Sequence, residues 1–264
     1  MKLRMNLGLT KIRCAFSHRH VNSATEGLFL PPPTNPRSIT MGERITLSAA
    51  DGFSFNAYTV TPEGQARGGV VVIQEVWGLN GFVRSVCDRF ARHGYFAVAP
   101  AMFDRVDYGY QSENYGPDQF VVIGEMMKKF DPAKALLDVT AAIRAASAHG
   151  KVGITGYCFG GATTWRAAHA GLGLSAASGY YGGGVPGYID LAPQVPLEMH
   201  YGDQDTGIPL EQVEALKARY PEVGIHTYPA QHGFCNSDRP ERFDEASCKK
   251  ASVRTLDFFH KHLA

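Results

Sequence analysis

Four side chains in this sequence could do chemistry together although they lie far apart along it: Glu75, Cys158, Asp205 and His232. Cys158 stands in "ITGYCFGGATT", between a β-branched run and a pair of glycines. Gly156-Tyr157-Cys158-Phe159-Gly160 fits Gly-x-Nuc-x-Gly, in which a nucleophile sits on a sharp strand-to-helix turn. Two residues to either side, glycine is required because a Cβ would hold strand and helix apart. Such a turn places the sulfur at a helix N-terminus, where free amides and the macrodipole favour thiolate over thiol. Taken alone, Cys158 could equally be a small buried residue at a glycine-rich turn, since free cysteine is among the most buried types.

It has partners downstream. "YGDQDTGIP" ends a strand with two acids, Asp203 and Asp205, and "AQHGF" sets His232 in a loop after the last strand. Nucleophile, acid, histidine is the chain order of the α/β-hydrolase triad. In that chemistry the imidazole shuttles a proton to and from the sulfur or the leaving group, and a carboxylate fixes its tautomer. Asp205 is the expected carboxylate because it lies deeper in the loop; Asp203, beside Gly202, shapes the turn. The competing reading of His232 is a surface loop histidine. Glu75 closes the apolar run "GGVVVIQEVWG", where an unpaired charge would be costly to bury; a Glu turned outward at the strand end is the alternative. The amides of Val76 and Phe159 would face each other as the two donors of an oxyanion hole.

The elements that must position these groups are legible as a pattern. "RITLSAADGFSFNAYTVTPEG" alternates about Asp51-Gly52 and predicts a β-hairpin. "GGVVVIQEVWG", "YFAVAPAMF", "KVGITGYC", "AASGYYGG", "VPLEMHYGDQD" and "GIHTYPAQHGF" read as strands. Between them lie helical stretches: "NGFVRSVCDRFARHG", two segments from Asp118 to His149 broken at Asp131-Pro132, "GGATTWRAAHAG" and "PLEQVEALKARY". "DEASCKKASVRTLDFFHKHL" is a long terminal helix. Strands alternating with helices predict an α/β fold, a mostly parallel twisted sheet with helices on both faces. In such sheets ligands bind beyond the carboxyl ends of strands, where Glu75, Cys158 and Asp205 fall.

Composition sets the outer bounds. The 264 residues are 44% hydrophobic with formal net charge +1, so no global field draws the chain to nucleic acid or to an acidic membrane. It has no apolar run of a membrane span's length and neither a phosphate-binding nor a dinucleotide glycine fingerprint. Five widely spaced cysteines argue against a disulfide framework and for a reducing, cytoplasmic setting. Residues 1–40 are basic, with Pro31 to Pro33 near their end. They read as a disordered extension or a wrongly assigned start, with an import signal as the second choice; residues 41–264 read as a single α/β-hydrolase domain. Cys14, His18 and His20 lack a second cluster at ligand spacing, so no metal site is expected.

"QEVWG", "PAMFDR", "GYCFGG", "YGDQDTGIP" and "HGF" together resemble the dienelactone hydrolase family, from about residue 41 to the C-terminus. The resemblance implies a Cys158-His232-Asp205 triad and a Glu75 that holds the resting thiol's proton. It also implies that Arg105 binds a substrate carboxylate, a task suited to a guanidinium. Where well-known members carry a second arginine, four residues past the histidine, this chain has Asn236, and the nearest arginine is Arg239. Trp77, Tyr108 and Arg239 are expected to bind substrate, and the Tyr-rich stretch 106–116 to form part of the pocket wall, with an ordinary tyrosine-bearing loop as the alternative. The implied activity is hydrolysis of a small ester or lactone bearing a carboxylate, dienelactone to maleylacetate, with no cofactor. Rival readings are a general thiol esterase, a non-catalytic receptor on the same fold, and a redox sensor at Cys158.

Overall fold

The computed structural model describes residues 42–264; the 1–40 extension with Cys14, His18 and His20 lies outside them. The chain begins with the expected hairpin, β1 (Glu43–Ser48) and β2 (Ser54–Val60), which turns at Gly52 with φ +83°. There follow β3 (Gly69–Ile73), α1 (Gly81–Arg92), β4 (Phe96–Pro100), α2 (Pro117–Lys129), α3 (Pro132–Ser147), β5 (Val152–Tyr157) and α4 (Phe159–Ala170). The chain then forms β6 (Ala176–Tyr180), a single 3-10 turn at Val185–Gly187, β7 (Leu197–Gly202), α5 (Leu210–Arg219), β8 (Gly224–Tyr228) and α6 (Glu245–Leu263). The break before α3 is where Asp131 caps: its carboxylate accepts from the amides of Ala133 and Lys134, and Pro132 opens the helix, a position proline tolerates.

One eight-stranded sheet runs in the order β1-β2-β4-β3-β5-β6-β7-β8. The hairpin joins antiparallel, through β2 on β4; all other pairings are parallel. β3, β4, β5, β6 and β7 are buried along their whole length, as continuous apolar runs covered on both faces require. The register assigns the layers. Gly69 pairs with Val152 and Val70 with Gly153, so Gly69 and Gly153 face opposite ways. A side chain on Gly69 would run into Ala146 of α3, and one on Gly153 into Phe259 and Leu263 of α6. α3 and α6 therefore cover opposite faces, with α1 beside α6 through Phe90 and Phe259, 5.9 Å apart.

Cysteine pairing departs from expectation. Cys235 and Cys248 form a disulfide, with Cα atoms 4.9 Å apart. It joins the loop after β8 to the first turn of α6, which doubles back against that loop. The two partners are only 13 positions apart, and an odd cysteine count hid them; Cys87 and Cys158 remain free.

Candidate active site

The elbow forms as its glycines require. Cys158 connects β5 directly to α4 with φ 55° and ψ −115°, a conformation costly for any residue with a Cβ. Its amide donates to the Tyr180 carbonyl at 3.0 Å, and its own carbonyl accepts from Gly161 at 2.9 Å. A Cβ on Gly160 would lie 2.5 Å from the Ile73 carbonyl oxygen and 2.7 Å from that of Gln74. The backbones of α4 and the end of β3 are thus in direct contact.

Asp205 and His232 meet as predicted. His232 Nδ1 lies 2.6 Å from Asp205 Oδ2. The other carboxylate oxygen, Oδ1, accepts from the amides of Gly207 at 2.8 Å and Ile208 at 3.2 Å. Asp205 is buried while Asp203 is exposed, which decides between the two acids. His232 and Cys158 border the same two cavities. Burial pulls the His232 pKa down, but the Cys158 and Asp205 charges and hydrogen bonds outweigh it and raise it to about 10.

Glu75 points inward and is 3% exposed. Burial raises its pKa, against the opposing pull of Asn236, His232 and Arg239. Its Oε2 accepts from Asn236 Nδ2 at 2.6 Å. Asn236, read from sequence as a missing arginine, is instead a fully buried support for Glu75. Tyr181, one residue past β6, was not anticipated either. It is fully buried with φ 37°, its hydroxyl close to Glu75 and its ring 5.1 Å from that of His232. The double tyrosine in "SGYYGG" was the one available signal.

Val76 lies in the turn after β3 and Phe159 is the first residue of α4, where a helix amide has no intrahelical acceptor. Both residues line a cavity of about 330 Å3 that also reaches Cys158 and His232. A second cavity of about 270 Å3 meets the same two residues from the side of Glu75, Trp77 and Arg239. Trp77 is buried edge-on to Tyr115 and Phe120, and the Arg239 guanidinium lies 5.7 Å from its ring centre. Trp77, Arg239 and Arg242 all line this second cavity.

Arg105 and Tyr108 do not. Arg105 donates from Nε and Nη2 to Asp138 and from Nη1 and Nη2 to Asp51, at 2.8–2.9 Å throughout. It also stacks 4.4 Å from the Phe53 ring centre. Two carboxylates already occupy its fork, one of them buried, and it lines neither cavity at Cys158. Tyr108 is 62% exposed and also lines neither.

Residues 55–263 match the model of the dienelactone hydrolase family. The chain belongs to that family. Carboxymethylenebutenolidases from Pseudomonas putida and from Cupriavidus pinatubonensis are 30% and 27% identical over 226 residues. Each alignment covers 82% of this chain, with 95% and 96% of the relatives. A solved candidate dienelactone hydrolase from Klebsiella pneumoniae superposes with a TM-score of 0.73 at 27% identity, covering 84% of this chain and all of that one. A dienelactone hydrolase-like promiscuous phosphotriesterase from metagenomic libraries shares the fold, with a TM-score of 0.69 at 22% identity over 84% of this chain and 98% of its own. Membership of the dienelactone hydrolase family places the chain among hydrolases that act on ester bonds. Among the described residues no helix is long and apolar enough to cross a membrane.

Proposed function

We propose that this dienelactone hydrolase-family protein is a cysteine hydrolase of a small ester or lactone that carries a carboxylate, with dienelactone as the lead substrate. The observation that carries the reading is the line Cys158, His232, Asp205, in which the sulfur stands on a strained elbow and the imidazole is held by a buried carboxylate. The Cys158 sulfur attacks the carbonyl carbon, and the amides of Val76 and Phe159 donate to the developing oxyanion, each such donor typically contributing about 2.7–4 kcal/mol. The C–O bond then breaks and protonated His232 gives its proton to the leaving oxygen. Water attacks the thioester, His232 takes the water's proton, and the thiolate departs with the acid released. Glu75, which borders the same cavity as Cys158, takes the thiol proton before attack, and its raised pKa suits a group that alternates between protonated and ionised forms.

Arg239 is the better partner for the substrate carboxylate, because it borders the cavity at Cys158 and pairs, among the described residues, only with the exposed Glu241, while Arg105 is held by two carboxylates away from that cavity. The test is direct. Cys158→Ala should abolish hydrolysis of dienelactone, and iodoacetamide should label Cys158 ahead of Cys87, as read by mass spectrometry. Hydrolysis that survives the alanine substitution would end the proposal.

A further inference from the structure

The two cavities that meet at Cys158 differ in chemistry. The one beside Glu75 carries Arg239 and Arg242. The other follows α4 away from the nucleophile: Phe159, Ala162, Thr163 and Arg166 line it, a stripe with the spacing of one helix face. From Cys158 to Arg166 this is about 12 Å along the axis. The facing wall is apolar, with Met127 and Phe130 at the end of α2 and Pro132, Ala135 and Leu136 at the start of α3. Arg166 closes the far end and is occupied with its surroundings, donating from Nη2 to the Gly187 carbonyl at 3.1 Å. α2 contributes to both walls: Phe120 packs on Trp77 at the cationic cavity, and Met127 borders the apolar one.

A compact lactone with one carboxylate needs only the cationic cavity. Apolar surface left open to water beside a nucleophile marks a place where a ligand is buried. Resting on the cysteine-hydrolase reading above, we propose that the cavity along α4 is an acyl subsite, so that this protein prefers esters whose acyl part is an apolar chain or ring over the corresponding acetates. The acyl group is the arm that remains on the sulfur after the alcohol leaves. Because Cys158 begins α4, a subsite running along that helix holds this arm through both halves of the reaction.

The experiment is a series of p-nitrophenyl esters, acetate to octanoate, hydrolysed by the full chain. The expected kcat/KM rises about tenfold or more from acetyl to hexanoyl, below the ceiling of about fourfold per fully buried methylene. Leu136→Trp, which fills the cavity, should cut the hexanoyl-to-acetyl ratio about fivefold or more, and Leu136→Ala should move the best chain to greater length. A series that is flat or falls from acetate, or a ratio untouched by both Leu136 variants, overturns the acyl subsite. In either case, complete loss of turnover in Cys158→Ala would leave the cysteine-hydrolase reading standing, whereas turnover persisting in that variant would overturn the reading itself.

Discussion

Glu75 and Asn236 form a contact of two buried side chains 161 positions apart in the chain, and it makes a specific prediction. Burial already raises the Glu75 pKa, and the hydrogen bond from Asn236 is the largest influence opposing that rise. Asn236→Ala removes it, so the carboxyl should need a still higher pH to ionise. If the ionised form takes the thiol proton, the acidic limb of the kcat/KM–pH profile moves upward, while activity on the plateau falls less. A profile that drops uniformly without moving would show that Asn236 acts only through packing. Tyr181→Phe offers a companion measurement. Removing a hydroxyl close to Glu75 should move the same limb in the same direction. Residue types, order and spacing pointed to Cys158, Asp205 and His232, and the structure brings Asp205 to 2.6 Å from His232. They did not reveal what Asn236 does, because its partner enters from another strand's end. The surroundings of Arg105 were hidden for a similar reason: Asp51 and Asp138, which occupy its guanidinium, are 54 and 33 positions away, and nothing local announces them.

At the scale of elements, the strand-to-helix joints were the most legible feature. Continuous β-branched runs must be covered on both faces, and proline and aspartate mark the break between α2 and α3. The elbow adds a demand that side-chain patterns express only through glycine. Gly160→Ala would set a methyl 2.5 Å from the Ile73 carbonyl oxygen, and backbone on both sides leaves it no room. The expected cost is about 2 kcal/mol or more of folding stability, read as a lowered urea midpoint at unchanged slope, together with loss of activity in the folded fraction. Ala at Gly124, where a Cβ meets nothing within 4 Å, is the matched control and should be neutral or slightly stabilising. The Tyr-rich stretch 106–116 was harder to read. It sends Tyr115 to Trp77 and leaves Tyr108 in solvent, and no periodicity distinguishes the two.

For the whole molecule, the sheet carries a second polar cluster beneath α6. Glu198 accepts from Ser178 and Thr255, each at 2.9 Å, and its Oε1 lies 3.1 Å from His200 Nε2; His200 Nδ1 in turn lies 2.8 Å from Tyr228. His226 lies opposite His200 on β8, and its Nε2 is 3.8 Å from Glu198. Burial lowers the His226 pKa to about 4, with His200, Arg254 and Lys217 adding to the effect and Glu198 opposing it. A histidine depressed in the folded state is protonated first in the unfolded chain, so stability falls as the pH drops from about 6.5 towards 4. Thermal melts at pH 7, 5.5 and 4 should show this decline, and His226→Gln should reduce it. An unchanged decline in the variant would overturn the assignment to His226; Glu198, whose pKa is lowered despite its burial by His200, Ser178 and Thr255, loses its contribution only below its ordinary value of 4.5. The cluster was invisible in the linear chain because Ser178, Glu198, His226 and Thr255 belong to four different elements.

The contact between Gly160 and the Ile73 carbonyl ties the start of α4 to the end of β3 through main-chain atoms alone. Neighbouring side chains can therefore change size or polarity through evolution or design without moving that joint. That freedom lets one scaffold keep the turn that carries Cys158 while exchanging the surfaces around it.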